Sequence, residues 1–124
     1  MLELVSEHGC FGGVQRFYRH DSDVIGLPMR FSVFVPPQAF AQPAQRLPAL
    51  FYLAGLTCTE ETFAIKAGAQ RTAAQLGLVL VAPDTSPRDT GIAGATDEWD
   101  FGVGAGFYLD ATQAPWNAHW RMES

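Results

Sequence analysis

The sequence predicts an α/β domain whose first strands are antiparallel and whose middle is a parallel βαβ unit, and three features of the chain carry that expectation. Residues 29–35 alternate apolar and polar, the pattern of a half-buried strand. Residues 49–53 and 78–82 are continuously apolar, as in strands covered on both faces of a largely parallel sheet. Between them lies a stretch with helical periodicity and its own start and stop signals. With 124 residues, 48% of them hydrophobic, the chain supports one core and no second domain.

Taken in order, residues 14–20 form the first strand candidate, and residues 21–28 supply turn residues. The next strand places Met29, Phe31, Val33 and Val35 on one face, and Pro36 and Pro37 end it. Residues 38–48 read as a surface loop. After the apolar strand at 49–53, Gly55-Leu56-Thr57 breaks the run. The helical stretch 57–77 opens with capping-box spacing between Thr57 and Glu60. Within it Ala69, Thr72, Ala73 and Leu76 fall on one stripe, Gly68 divides the stretch, and Gly77 sits where a helix-ending glycine belongs. The strand at 78–82 closes at Pro83, completing a right-handed βαβ unit. At the far end, Pro115 suits a first helical turn, with Trp116 and Trp120 spaced i, i+4.

Charge and composition exclude several functions. A net charge of −5 disfavours nucleic acid phosphates and anionic membrane surfaces. Glu3 and Glu7 stand where a signal peptide would carry basic residues, and no apolar run is long enough to cross a bilayer, so a soluble, cytoplasmic protein is expected. Cys10 and Cys58 are far apart and lack metal-ligand spacing, which points to neither a disulfide framework nor a metal site.

The first site candidate is Gly55-Leu56-Thr57-Cys58-Thr59, a loop leaving the carboxyl end of a buried strand and entering a helix. Its backbone N–H groups can face an anion or a developing oxyanion, although an ordinary βα turn has the same pattern. Cys58 near the helix start could act as a thiol nucleophile with His8, His20 or His119 as base, or could simply pack. Residues 84–110 hold six acidic residues against one basic residue, Arg88. A solvated irregular loop would read this way, yet Trp99, Phe101, Phe107 and Tyr108 interleave with the acids and suggest that part of it packs or lines a site. Gly102-Val103-Gly104-Ala105-Gly106 has neither the context nor the spacing of a dinucleotide fingerprint. None of Ser6, Ser22, Ser32, Ser86 and Ser124 lies in a G-x-S-x-G nucleophile elbow.

Four motifs nevertheless occur together and in order: Leu50-Phe51-Tyr52-Leu53-Ala54-Gly55-Leu56-Thr57-Cys58-Thr59-Glu60; Lys66-Ala67-Gly68-Ala69-Gln70-Arg71; Val81-Ala82-Pro83-Asp84-Thr85-Ser86-Pro87-Arg88; and Glu98-Trp99-Asp100-Phe101-Gly102-Val103-Gly104-Ala105-Gly106-Phe107-Tyr108. Together they resemble the S-formylglutathione hydrolase family. The likeness extends back to Cys10-Phe11-Gly12-Gly13 and forward through Pro115-Trp116 to Arg121-Met122. It departs at Ala54, where that family commonly has Ser, and in residues 89–96.

The resemblance implies an α/β-hydrolase serine thioesterase that cleaves S-formylglutathione to glutathione and formate in formaldehyde detoxification, without metal or cofactor. The complete form is expected to be a homodimer. By the same likeness the Leu56 backbone N–H is an oxyanion-hole donor, Gly55, Thr57 and Cys58 lie against substrate without Cys58 being the nucleophile, and Trp99 shapes the acyl or glutathione pocket. Arg88 or Lys66 could face the glutathione carboxylates, or each could be a surface cation. The family's Ser, Asp and His follow at positions later than Ser124, so residues 1–124 are expected to be the amino-terminal part of a single hydrolase domain, ending before the nucleophile elbow and inactive by themselves. The alternatives are a non-catalytic fragment acting as a binding or assembly module through unpaired sheet edges, and a Cys58 thiol enzyme.

Overall fold

The computed structural model describes residues 1–124. Five strands, β1 (Leu2–Cys10), β2 (Gly13–Ser22), β3 (Leu27–Val35), β4 (Ala49–Phe51) and β5 (Val79–Pro83), form one mixed sheet in the order β1-β2-β3-β5-β4. Two helices, α1 (Glu60–Lys66) and α2 (Gln70–Leu76), connect β4 to β5. The β4–β5 pair is parallel and all other pairs are antiparallel, so the expected α/β layout with an antiparallel start and one βαβ unit is present. No helix is long and apolar enough to cross a membrane.

The core is small and centres on the face of β3 opposite Phe31, Val33 and Val35. On β3 the deepest residues are Ser32 and Phe34, together with Met29, whereas Phe31, Val33 and Val35 are only half-buried. The reason is where the helices sit. Phe34 packs with Ala73 of α2 and Leu80 of β5, backed by Phe63 and Ala69. For the same reason α2 turns Gln70 and Ala73 inward, while Leu76, expected on the buried stripe, is exposed.

Helix boundaries follow local chemistry closely. Thr59, extended at φ −125°, is the N-cap of α1: its hydroxyl accepts from the Glu61 N–H, and the Thr62 hydroxyl accepts from the Thr59 N–H. The cap was expected at Thr57, which instead lies in the preceding turn. Gly68 does divide the stretch, and Gly77 ends α2 in the left-handed region at φ 69°. The terminal helix expected from Pro115 is only a short 3₁₀ turn, Trp116–Ala118.

Two further differences concern the sheet edges. β1 was not anticipated; it pairs with β2 across a register shift between Leu4 and Ser6, and its Glu3 and Glu7 face Arg19 and Arg16. β4 is three residues long and is the opposite edge, so the apolar run that reads as doubly covered is open here: Phe51 is 64% exposed, and Leu50 and Leu53 are also exposed.

Candidate active-site loop

The loop after β4 is shaped residue by residue. The Tyr52 N–H still donates to the Val81 carbonyl at 2.8 Å, and its ring stacks on Phe63 of α1 with centroids 3.9 Å apart. Ala54 is buried, and its carbonyl accepts the Tyr108 hydroxyl at 2.7 Å. The chain then makes a tight turn in which the Cys58 N–H donates to the Gly55 carbonyl at 3.1 Å, with Leu56 and Thr57 as the central residues.

Thr57 stands at φ +68°, a conformation that a β-branched residue adopts at a cost of about 1–3 kcal/mol and only where its surroundings enforce it. Those surroundings are identifiable. The Thr57 N–H donates to the Gly104 carbonyl at 2.9 Å. A Cβ on Gly104 would sit 3.2 Å from the Thr57 Cα, so the glycine permits the approach. Along the turn, Thr57, Cys58 and Thr59 all have their N–H groups occupied, by Gly104, Gly55 and Thr62. The Leu56 N–H at the centre of the turn, like that of Gly55 before it, has no acceptor in the chain.

Behind the turn lies the segment after β5. Asp84, only 3% exposed, receives the Arg88 guanidinium in a fork, Nε to Oδ2 at 3.0 Å and Nη2 to Oδ1 at 2.7 Å. Arg88 Nη2 also donates to the Cys58 carbonyl at 3.2 Å, and the Thr85 hydroxyl donates to that same oxygen. The Ser86 hydroxyl accepts from the Gly104 N–H at 2.7 Å. Arg88, expected as an exposed cation or a carboxylate binder, is therefore a half-buried structural contact, and its Asp84 partner raises its pKa further. Lys66 is exposed.

Two titratable groups border this region. Burial raises the Tyr108 pKa, with the Asp84 charge adding to the effect, which keeps the phenol a proton donor to Ala54. Burial likewise raises the Glu60 pKa, with Asp84 reinforcing it and Arg30 opposing it. The folded protein thus binds this proton more tightly than the unfolded chain. Its contribution is most favourable below the ordinary glutamate value and declines as pH rises through the raised one. Glu60→Gln should remove that decline: urea midpoints of variant and parent should differ more, in favour of the variant, at pH 7 than at pH 4.

The remaining candidates are not drawn together. His8 packs edge-on to Phe17, His20 to Phe31, and His119 Nδ1 pairs with the Ile25 carbonyl at 2.8 Å, so no histidine hydrogen-bonds to Cys58. Trp99 is 69% exposed. The aromatic cluster is instead Phe101, Trp116 and Trp120, with successive centroids 4.8 and 5.1 Å apart. With Phe107 and Leu109 these rings line an open cavity of about 350 Å³ that includes neither Leu56 nor Trp99. No group of three or more His, Cys, Asp or Glu side chains converges as a metal-binding cluster.

A family model described as "Putative esterase" matches residues 22–124. The chain belongs to this esterase family. It is 50% identical over 123 residues to the S-formylglutathione hydrolase of Mus musculus and 48% identical to that of Rattus norvegicus, matching 99% of this chain and 43% of each of those proteins. A solved S-formylglutathione hydrolase from Agrobacterium tumefaciens superposes with a TM-score of 0.89 at 43% identity, covering 97% of this chain and 42% of that one. The chain therefore spans less than half the length of the relatives it matches, corresponding to their amino-terminal part. Within the esterase fold the Asp84–Arg88 fork and the Tyr108–Ala54 contact escaped sequence reading. The four-residue spacing of an acid and a base was the available signal for the first.

Proposed function

We propose that this chain supplies the oxyanion-binding side of a serine thioesterase acting on S-formylglutathione, the rest of the machinery lying in the portion of the relatives' length outside the match. The observation that carries the proposal is the unpaired Leu56 N–H at a strained strand-to-helix turn. In the reaction a seryl oxygen attacks the formyl carbon, and negative charge collects on the carbonyl oxygen. The Leu56 N–H donates to that oxygen with a second amide from the downstream part. A histidine accepts the seryl proton and returns it to the departing glutathione sulfur as the C–S bond breaks; water then releases formate. Gly55, Thr57 and Cys58 lie against the substrate, Trp99 borders the acyl or glutathione pocket, and the complete form is a homodimer.

The test joins residues 1–124 to the remaining length of the mouse relative and follows S-formylglutathione loss, with the chain alone assayed beside it. The joined protein should turn over, and the chain alone should not exceed buffer. Turnover by the chain alone that iodoacetamide abolishes and serine-directed phosphonates spare would replace this reading with a thiol enzyme.

The open β4 edge favours a second reading, an assembly module. Unpaired strand edges with apolar side chains associate, and a lysine on the edge blocks this. The chain by itself is expected to scatter light as a species larger than 13.5 kDa, and Phe51→Lys with Leu53→Lys should shift it toward monomer. A monodisperse parent monomer would count against association through β4.

A further inference from the structure

Two peptides of the turn and its exit, Leu56–Thr57 and Cys58–Thr59, are fastened to the segment after β5. On one side the Thr57 N–H reaches the Gly104 carbonyl, and the Gly104 N–H reaches Ser86. On the other, the Cys58 carbonyl takes two donors, the Thr85 hydroxyl and Arg88 Nη2. Arg88 cannot swing away, because Asp84 holds it through two atoms and is itself pinned, its N–H donating to the Arg30 carbonyl at 2.9 Å. Asp84 Oδ1 also accepts the Thr85 N–H at 2.7 Å. One carboxylate thus orients both groups that hold the Cys58 carbonyl.

The geometry matters because the turn is strained. Thr57 at φ +68° would relax by rotating its flanking peptides, which moves the Cys58 N–H and with it the Gly55 carbonyl that shares a peptide with the Leu56 N–H. Held by its carbonyl, Cys58 keeps its own N–H on the Gly55 carbonyl at 3.1 Å, the other end of the peptide that carries the Leu56 N–H, while the Thr57 N–H fixes the next peptide, so the Leu56 N–H is held unpaired. We infer that Arg88, oriented by Asp84, is a positioning residue that acts through the Cys58 carbonyl to hold the Leu56 amide in place for the oxyanion. The inference rests on the thioesterase reading for its chemical purpose, but its structural part is tested separately.

The first test is native-state amide exchange on the ¹⁵N-labelled chain. Arg88→Met should speed exchange at Thr57 and Cys58 by about tenfold or more while β2–β3 ladder amides keep the parent rate, since a local latch opens without global unfolding. Arg88→Lys, which keeps charge but not the fork, should fall between. Unchanged exchange at Thr57 and Cys58, or equal acceleration across the sheet, would overturn the inference. Thr85→Val removes the other donor on the same oxygen and decides the matter by the same criterion if Arg88→Met does not fold. In the joined hydrolase, Arg88→Met should lower kcat with KM nearly unchanged, because the oxyanion exists only beyond the ground state; a raised KM with intact kcat would overturn the role. If the joined parent has no thioesterase activity while the exchange results hold, the thioesterase reading fails and the latch stands.

Discussion

Gly102→Ala is expected to destabilise the chain by about 3 kcal/mol or more, the sum of a left-handed backbone penalty and an overpacking clash. Gly102 stands at φ +82°, and a Cβ there would lie 2.3 Å from the Ala95 oxygen and 2.9 Å from its carbonyl carbon. Neither partner is free to yield. The Ala95 carbonyl accepts the Val103 N–H at 2.8 Å, and the Gly102 carbonyl accepts the Trp120 indole N–H at 3.2 Å. Moving the strand of loop away from the new methyl would therefore break buried hydrogen bonds. Gly91→Ala separates the two contributions, since Gly91 has φ +70° but nothing within 4 Å of its Cβ position. That variant should lose only about 1–2 kcal/mol, the conformational part. Urea unfolding of both variants checks this: equal losses would mean the Ala95 loop adjusts freely, and the clash has no weight.

The glycine run also explains what sequence reading could and could not reach. Elements whose signals are local were legible: the two apolar strands, the helical stretch between them, the break at Gly68 and the stop at Gly77. Thr57 and Thr59 show why boundaries were harder. Both stand three residues before a residue able to complete a capping box, Glu60 and Thr62 respectively, so spacing could not choose between them. The choice is made by Gly104, which is distant in sequence and draws the Thr57 N–H into the turn. β1 was hidden because its register shift between Leu4 and Ser6 interrupts the alternation that identifies a strand. The place of Arg88 is not legible because a basic residue in an acidic, glycine-rich segment resembles a solvated one until Asp84 is seen to be buried. At β4 the sequence reports what a strand is suited to lie beneath. It does not report that this chain leaves Phe51 open.

Leu56→Pro, made in the hydrolase obtained by joining this chain to the remaining length of a relative, should lower kcat for S-formylglutathione by about 10²–10³ while leaving the turn folded. Proline deletes one atom of interest, the amide hydrogen that nothing in the chain accepts. It does so at the second residue of a tight turn, where its fixed φ is favourable, and ahead of Thr57, whose left-handed φ suits the third position of the same turn type. The hydrogen bonds that fasten the turn belong to Thr57, Cys58 and Ala54, and none involves the Leu56 nitrogen. Leu56→Ala supplies the comparison, because it removes the side chain and keeps the N–H. If the amide stabilises the oxyanion, the proline variant loses kcat, keeps substrate affinity and unfolds in urea near the parent midpoint, while the alanine variant keeps most of the rate. Equal loss in both would assign the effect to the leucine side chain, and an active proline variant would remove Leu56 from the oxyanion hole.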